Sequence, residues 1–389
     1  MSIRKILFLY TNLFIKSWKP SPATEGKTAW LYRIVVLTLV WLVLLSVQLF
    51  NGFFLALDHI LFPKFSSIKV GPPLFIVGVP RSGTTFLHRL LAQDHCRFTT
   101  FSLAELLFAP AISQKLIWLF IGKLDDQFGG WLQKGLHRLD RIILSGLDDV
   151  HQTGLWAPEE DYLGLIPVLG CFLLILPFPV PEIWRLAYFD RDLDESEKKR
   201  ILRAYERLIQ RHLYVKGDDR VLLSKNPSFT PMICALSDYF PDAKFIACFR
   251  NPTKSIPSQI NSILIGARIF HGKVNVDYWR HNLSAMLQFY YKHLLTELPQ
   301  FPDQNWSISV MEDLVKDPKT MILDLYDTLG FIPSAAYVAK LEQEQIKAKS
   351  YRSQHHYSLK NLAISEHQLC NDFRFVYEEF NYPLPKITE

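Results

Sequence analysis

The sequence predicts an α/β protein: a P-loop-like parallel sheet flanked by helices, with a large helical insertion and an N-terminal membrane-associated helical segment. Three observations predict it. From residue 74 onward, short apolar β-prone runs alternate with helix-compatible segments, the pattern of a parallel sheet covered on both faces. The first such run, Leu74 to Val79, breaks into a Pro/Arg/Ser/Gly turn and continues as a helix-compatible segment with leucines at 87, 90 and 91. And no charged residue lies between Arg33 and Asp58.

The N-terminal segment, residues 1–70, comes first. Ile3 to Trp18 is aromatic and basic, suited to lie along a membrane surface. Ile34 to Phe50 is almost wholly apolar and long enough to cross a bilayer, with Trp30, Tyr32 and Arg33 as interfacial anchors at one end. It lies too far from the terminus, and lacks the small-residue cleavage site, for a signal peptide. Arg4, Lys5, Lys16, Lys19, Lys27 and Arg33 oppose only Glu25, which favours a cytoplasmic N-terminus. One full span would then carry the rest of the chain to the far side, a Golgi lumen in a eukaryote. A two-segment anchor turning at Asn51-Gly52 would keep both ends in the cytoplasm, and the reading taken is a membrane-associated protein with a cytoplasmic catalytic domain.

Residues 71–389 form that catalytic domain. Strands are expected at Leu74–Val79, Arg220–Ser224, Lys244–Phe249 and Trp306–Val310, with helices such as Pro252–Ile265 and Pro318–Leu329 after them. Residues 95–219 form a mostly helical insertion. Within it the apolar run Tyr162 to Pro181 contains Pro167, Pro177, Pro179 and Pro181, which argue against a straight membrane helix. It reads as a core helix pair, as a greasy wall for an acceptor, or as a membrane-facing lobe. The net charge of +5 over 389 residues is mild, and no basic stripe interleaved with aromatics is present, so nucleic acid is not an expected partner. The five cysteines show neither Cys-x-x-Cys nor zinc spacing and read as buried free thiols of a reducing compartment.

The chemistry concentrates at strand ends, where open parallel sheets bind ligands. The first loop reads Gly78-x-x-x-x-Gly83-Thr84-Thr85. This is the glycine spacing of the nucleotide triphosphatase P-loop, but Thr84 stands where the lysine belongs and Arg81 brings the positive charge instead. Amides at a helix start hold an anion, so the loop suits a phosphate without the grip on a γ-phosphate. The Pro-Arg-Ser-Gly-Thr-Thr form resembles the loop of sulfotransferases that use 3′-phosphoadenosine 5′-phosphosulfate, in their bacterial and membrane-bound branches. The resemblance spans residues 74–380. It implies that Arg81, Ser82, Gly83, Thr84 and Thr85 hold the 5′-phosphosulfate. Arg250-Asn251-Pro252, with Ser258 eight residues after the arginine, resembles the family's 3′-phosphate site. Lys225-Asn-Pro-Ser-Phe229 resembles a Lys-x-Pro-x-His segment whose lysine stabilises charge on the transferring sulfonate; Phe229 replaces the histidine, so that base does not carry over. Glu105 resembles the glutamate base of this branch, with Glu159 and Glu160 as rivals. Tyr351 to Tyr357 resembles a segment that approaches the donor, so Arg352 and Ser353 are further phosphate contacts. The implied activity is sulfonate transfer, with Lys225, Glu105 and Arg81 catalytic, to a hydroxyl or amine of a hydrophobic small molecule or lipid. Arginine and lysine supply the positive charge, so no metal is expected. A P-loop phosphotransferase and a non-catalytic membrane-anchored nucleotide-binding module are the alternatives.

Overall fold

The computed structural model describes residues 3–144, 154–350 and 364–384. Among these, five strands form one parallel sheet: β1 (Leu74–Gly78), β2 (Phe98–Thr99), β3 (Val221–Lys225), β4 (Lys244–Phe249) and β5 (Trp306–Val310), in the order β2-β3-β1-β4-β5. Leu74 lies opposite both Leu223 and Lys244, so the strand order turns about β1. That turning point sets the ligand crevice at the carboxyl end of β1. β1 is buried throughout because both sheet faces are covered. Side chains alternate across the sheet: Phe75 and Val77 enter one core, Leu74 and Ile76 the other, together with Leu87, Leu90 and Leu91. The four expected strands are present within a residue or two. β2 has only two residues and escapes a periodicity test.

The proline-rich run does not form a helix pair. It folds as 3₁₀ turns at Asp161–Val168 and Phe172–Ile175, because its prolines cannot donate to longer ladders. Leu165, Cys171, Ile175 and Phe178 are fully buried and make that part of the run core, while Leu163, Ile166 and Pro167 line a groove against the helix Lys27–Leu61. Of the cysteines, Cys171, Cys248 and Cys370 are buried thiols, but Cys96 is exposed.

Helix α1 (Ile3–Ser17) leads into α2 (Lys27–Leu61), a single unbroken helix. Asn51-Gly52 therefore makes no turn, and the two-segment anchor is not formed. By length and composition alone α2 could cross a membrane. One stripe of it is buried against the body, through Leu37, Trp41, Asn51 and Asp58. Trp41 packs on Phe178 at 4.9 Å between ring centroids and donates to the Ser17 hydroxyl. After the first loop come α3 (Thr84–Leu91), α4 (Leu103–Phe108) and α5 (Ile112–Gln127). Asp58 on α2 accepts from the amides of Ile112 (2.8 Å) and Ser113 (3.0 Å), capping α5, and from Arg211 on the helix Glu195–Lys216.

Candidate active site

The loop after β1 is built by conformation. Gly78 has φ 142, and a Cβ there would strike the Cys248 backbone on β4. Gly83, φ 88, is the left-handed N-cap of α3; a Cβ there would strike Met311. The N-cap of α3 is a glycine, so no N-cap side chain takes up the first amides of the helix. Arg81 holds φ 69, a strained backbone for a non-glycine residue and a mark of functional geometry. Its Nε donates to Ser258 Oγ at 3.0 Å, and its carbonyl accepts from Arg250 at 3.0 Å. Ser258 is buried on the helix Pro252–His271, whose start is capped by Asn251 with Pro252 in the first turn. Arg81, Arg250 and Ser258 thus meet at one spot. Ser82 and Thr84 are buried, and the Ser82 hydroxyl donates to the Val79 carbonyl, bracing the loop from within.

Lys225 ends β3, 2 % exposed, with its ammonium 2.7 Å from Glu160 and 3.9 Å from Glu159. Burial raises the Glu159 carboxyl above the usual range, with Glu160 adding and Lys225 opposing. Both acids precede Asp161, which is wholly buried and takes hydrogen bonds from Tyr205 (2.6 Å), Ser224 (2.9 Å) and Asn226. This anchor ties the acid loop to β3, the strand that carries Lys225. Burial pushes Asp161 up to about 6, even against its three donors. Phe229 is buried against Phe75 and Tyr205 as a core residue.

Glu105 does different work. It completes a capping box with Ser102 at the start of α4 and pairs with Lys115 (3.2 Å) and Lys216 (3.3 Å). Burial alone would raise its carboxyl; Lys115, His212, Lys216 and the Ser102 amide together outweigh burial and hold it at about 2. A carboxylate that acidic is a weak proton acceptor.

This loop, strand and helix geometry has known counterparts. Residues 72–332, well over half of the chain, match the family described as the sulfotransferase family. The chain belongs to that family. Among curated proteins it is 28% identical over 297 residues to the omega-hydroxy-beta-dihydromenaquinone-9 sulfotransferases Stf3 of Mycobacterium bovis and Mycobacterium tuberculosis, covering 74% of this chain and 70% of theirs. The crystal structure of sulfotransferase STF9 from Mycobacterium avium superposes with a TM-score of 0.70 at 16% identity, over 98% of this chain and 97% of that one. STF1 from Mycobacterium tuberculosis gives 0.58 at 15% identity, over 95% and 91%. These two likenesses establish the shared fold.

Two residues of this sulfotransferase's site were not singled out from sequence. Arg89 follows Thr85 by one helical turn on α3 and acts electrostatically on Glu159; that i, i+4 spacing was the available signal. His88 is buried and, through burial and the Lys225 charge, held down at about 3, so it is neutral at pH 7. No sequence pattern announces it. Arg352 and Ser353 lie outside the described residues. Asp190, Cys234 and His293 form the one group among the described residues with metal-like spacing. Asp190 is already taken by the amides of Cys234 (3.0 Å) and Ala235 (3.1 Å), which makes it a helix cap.

Proposed function

We propose that this sulfotransferase moves a sulfonate from 3′-phosphoadenosine 5′-phosphosulfate to a hydroxyl of a hydrophobic, lipid-like acceptor at the cytoplasmic face of a membrane. The observation that carries the donor reading is the meeting of Arg81, Arg250 and Ser258 at the end of β4, with Lys225 and its acid pair at the end of β3. The residues fit such a nucleotide. The glycine-capped start of α3, with Thr84 and Thr85, suits the 5′ end; Arg250 and Ser258 suit a 3′-phosphate; Arg81 sits between the two groups. The donor, when bound, supplies the sulfonate. Lys225 neutralises charge on the oxygen left behind, and its burial in a dry site strengthens that interaction. Glu159, whose carboxyl is raised, takes the acceptor proton, while Glu160 holds Lys225 in position. Glu105, the base expected from sequence, is assigned the structural role its capping box and two lysines give it. The acceptor class is supported by the printed activity of the Stf3 relatives and by the apolar faces of α1 and α2.

Calorimetry tests the donor: 3′-phosphoadenosine 5′-phosphate binding well ahead of ATP with magnesium is expected, and the reverse order would sink the reading in favour of a phosphotransferase. Incubation of a membrane lipid extract with radiolabelled donor tests the acceptor. Label confined to water-soluble products would refute a lipid hydroxyl, and tight donor binding with no labelled product from any extract would favour a non-catalytic module.

A further inference from the structure

We propose that α2 does not cross the bilayer but lies along it, and that α2 and α5 together form a docking face for a leaflet carrying anionic lipid. The inference deepens the membrane placement proposed above but rests on neither donor nor acceptor. α2 is fastened to the body from end to end. Tyr32 donates to the Ile269 carbonyl (2.9 Å), Trp41 packs on Phe178 (4.9 Å between centroids), and Asn51 donates to the Leu107 carbonyl (2.9 Å). Asp58 binds Ser113 and Arg211. From Tyr32 to Asp58 is 58 − 32 = 26 steps, about 39 Å of helix. The hydrocarbon of a bilayer is about 30 Å thick. A crossing α2 would therefore drag its bonded partners through the membrane, including the helix Glu195–Lys216 with its lysines and arginines, at prohibitive cost.

The outer stripe of α2 is uncovered: Val35, Leu39, Leu42, Leu49 and Phe53 are all exposed. α5 packs its first turn on α2 and then exposes five consecutive apolar side chains, Leu116, Ile117, Trp118, Leu119 and Phe120. Five in a row face every direction around a helix, which an aqueous surface does not support. Charge identifies the partner. A groove of about 1230 Å³ between α2 and the helix Glu195–Lys216 has apolar walls such as Val40 and Leu208, and a rim of Lys5, Lys199, Arg200, Arg203 and Arg207. No Asp or Glu lines it among the described residues. Asp194 and Glu197, beside the rim, act on Lys5 and Arg200, which leaves Lys199, Arg203 and Arg207 as its cationic stretch. An apolar floor beneath that stretch fits acyl chains below phosphate headgroups, rather than a second copy of this chain.

Flotation of the full-length protein with phosphatidylcholine vesicles, with and without phosphatidylglycerol, tests the partner. Binding about tenfold or more tighter to the anionic vesicles is expected, falling with salt. Lys199→Glu with Arg203→Glu should abolish that preference, and Trp118→Glu with Phe120→Glu should weaken binding to both vesicle types by about tenfold or more at unchanged melting temperature. Equal binding to both vesicle types, or full binding by the Trp118/Phe120 variant, would overturn the proposal. So would a dimer in solution that this variant dissociates, since it would make α5 a contact between copies. Topology is read separately, in a Cys96→Ser, Cys234→Ser background carrying either Glu25→Cys or Lys64→Cys. An impermeant maleimide should reach both from the same side of sealed vesicles; labelling from opposite sides would mean that α2 spans.

Discussion

At the scale of single residues the site divides its charges between holding and reacting. Arg250 reaches the Arg81 carbonyl and shares its neighbourhood with Ser258. Charge-assisted hydrogen bonds of this kind are worth about 1.5–3 kcal/mol. Arg250→Ala should weaken 3′-phosphoadenosine 5′-phosphate about 10- to 150-fold and leave 5′-AMP nearly unchanged; equal losses for both nucleotides in a calorimeter would move Arg250 off the 3′-phosphate. Lys225 and Glu159 belong to the reacting set. Lys225→Ala should lower kcat by about 10²–10³ with little change in donor affinity. Glu159→Gln should abolish turnover while nucleotide binding survives. The raised Glu159 carboxyl also fixes a sign: the base must be ionised, so activity should fall toward acid through a midpoint above the ordinary glutamate value. If Glu160→Gln is dead and Glu159→Gln turns over, the roles within the pair are reversed.

At the scale of elements, two carboxylates do opposite work: one ties the insertion to the sheet, the other ties the helices of the insertion to one another. Asp161 pins the acid loop to β3 and is itself raised by burial; Glu105 joins α4, α5 and the helix Glu195–Lys216 and is lowered. The Glu105 carboxyl stands at about 2 in the folded protein against 4.5 for an ordinary glutamate. Its contribution is therefore fully present above pH 4.5 and lost as pH falls toward 2. Glu105→Gln should cost about 3–5 kcal/mol at neutral pH, because it strands Lys115 in the interior. It should also flatten acid unfolding in that window, with kcat of the surviving protein unchanged. Chemical denaturation at several pH values measures this, and a variant that is stable but inactive would restore Glu105 as the base. Such an element-to-element tie was not legible in the sequence. Ser102 and Glu105 announce a capping box by their spacing, but nothing in the chain says that Lys115 and Lys216 converge on the same carboxylate.

At the scale of the whole molecule, what could be read from sequence was what repeats or spaces regularly. β1, β3, β4 and β5 follow from apolar runs, and the loop from its glycines. The Asn251 cap follows from Asn-Pro at a strand end. What could not be read depends on packing between distant segments. The acid pair on Lys225 is one case, and the 3₁₀ course of the proline-rich run is another. The relation of the first seventy residues to the rest is the largest. Leu13, Leu37 and Trp41 belong to the same buried cluster as Phe75, Val77 and Phe245 of the sheet. Asp58 supplies the start of α5 and the partner of a buried arginine. An apolar N-terminal helix that merely tethered a catalytic unit could be removed without harm. Here removal of residues 1–70 would open one side of the core: Leu13, Leu37 and Trp41 would leave the cluster, and Arg211 would lose Asp58, the Leu55 carbonyl and the Phe65 ring together, so the loss is mainly one of buried apolar area. A fragment of residues 71–389 should therefore be insoluble or melt well below the full-length protein, and detergent should not rescue it. Asp58→Asn in the full chain should reproduce part of the loss while leaving every apolar side chain in place. A 71–389 fragment that melts with the full-length protein and binds 3′-phosphoadenosine 5′-phosphate equally well would show that the N-terminal helices are an appendage rather than part of the fold.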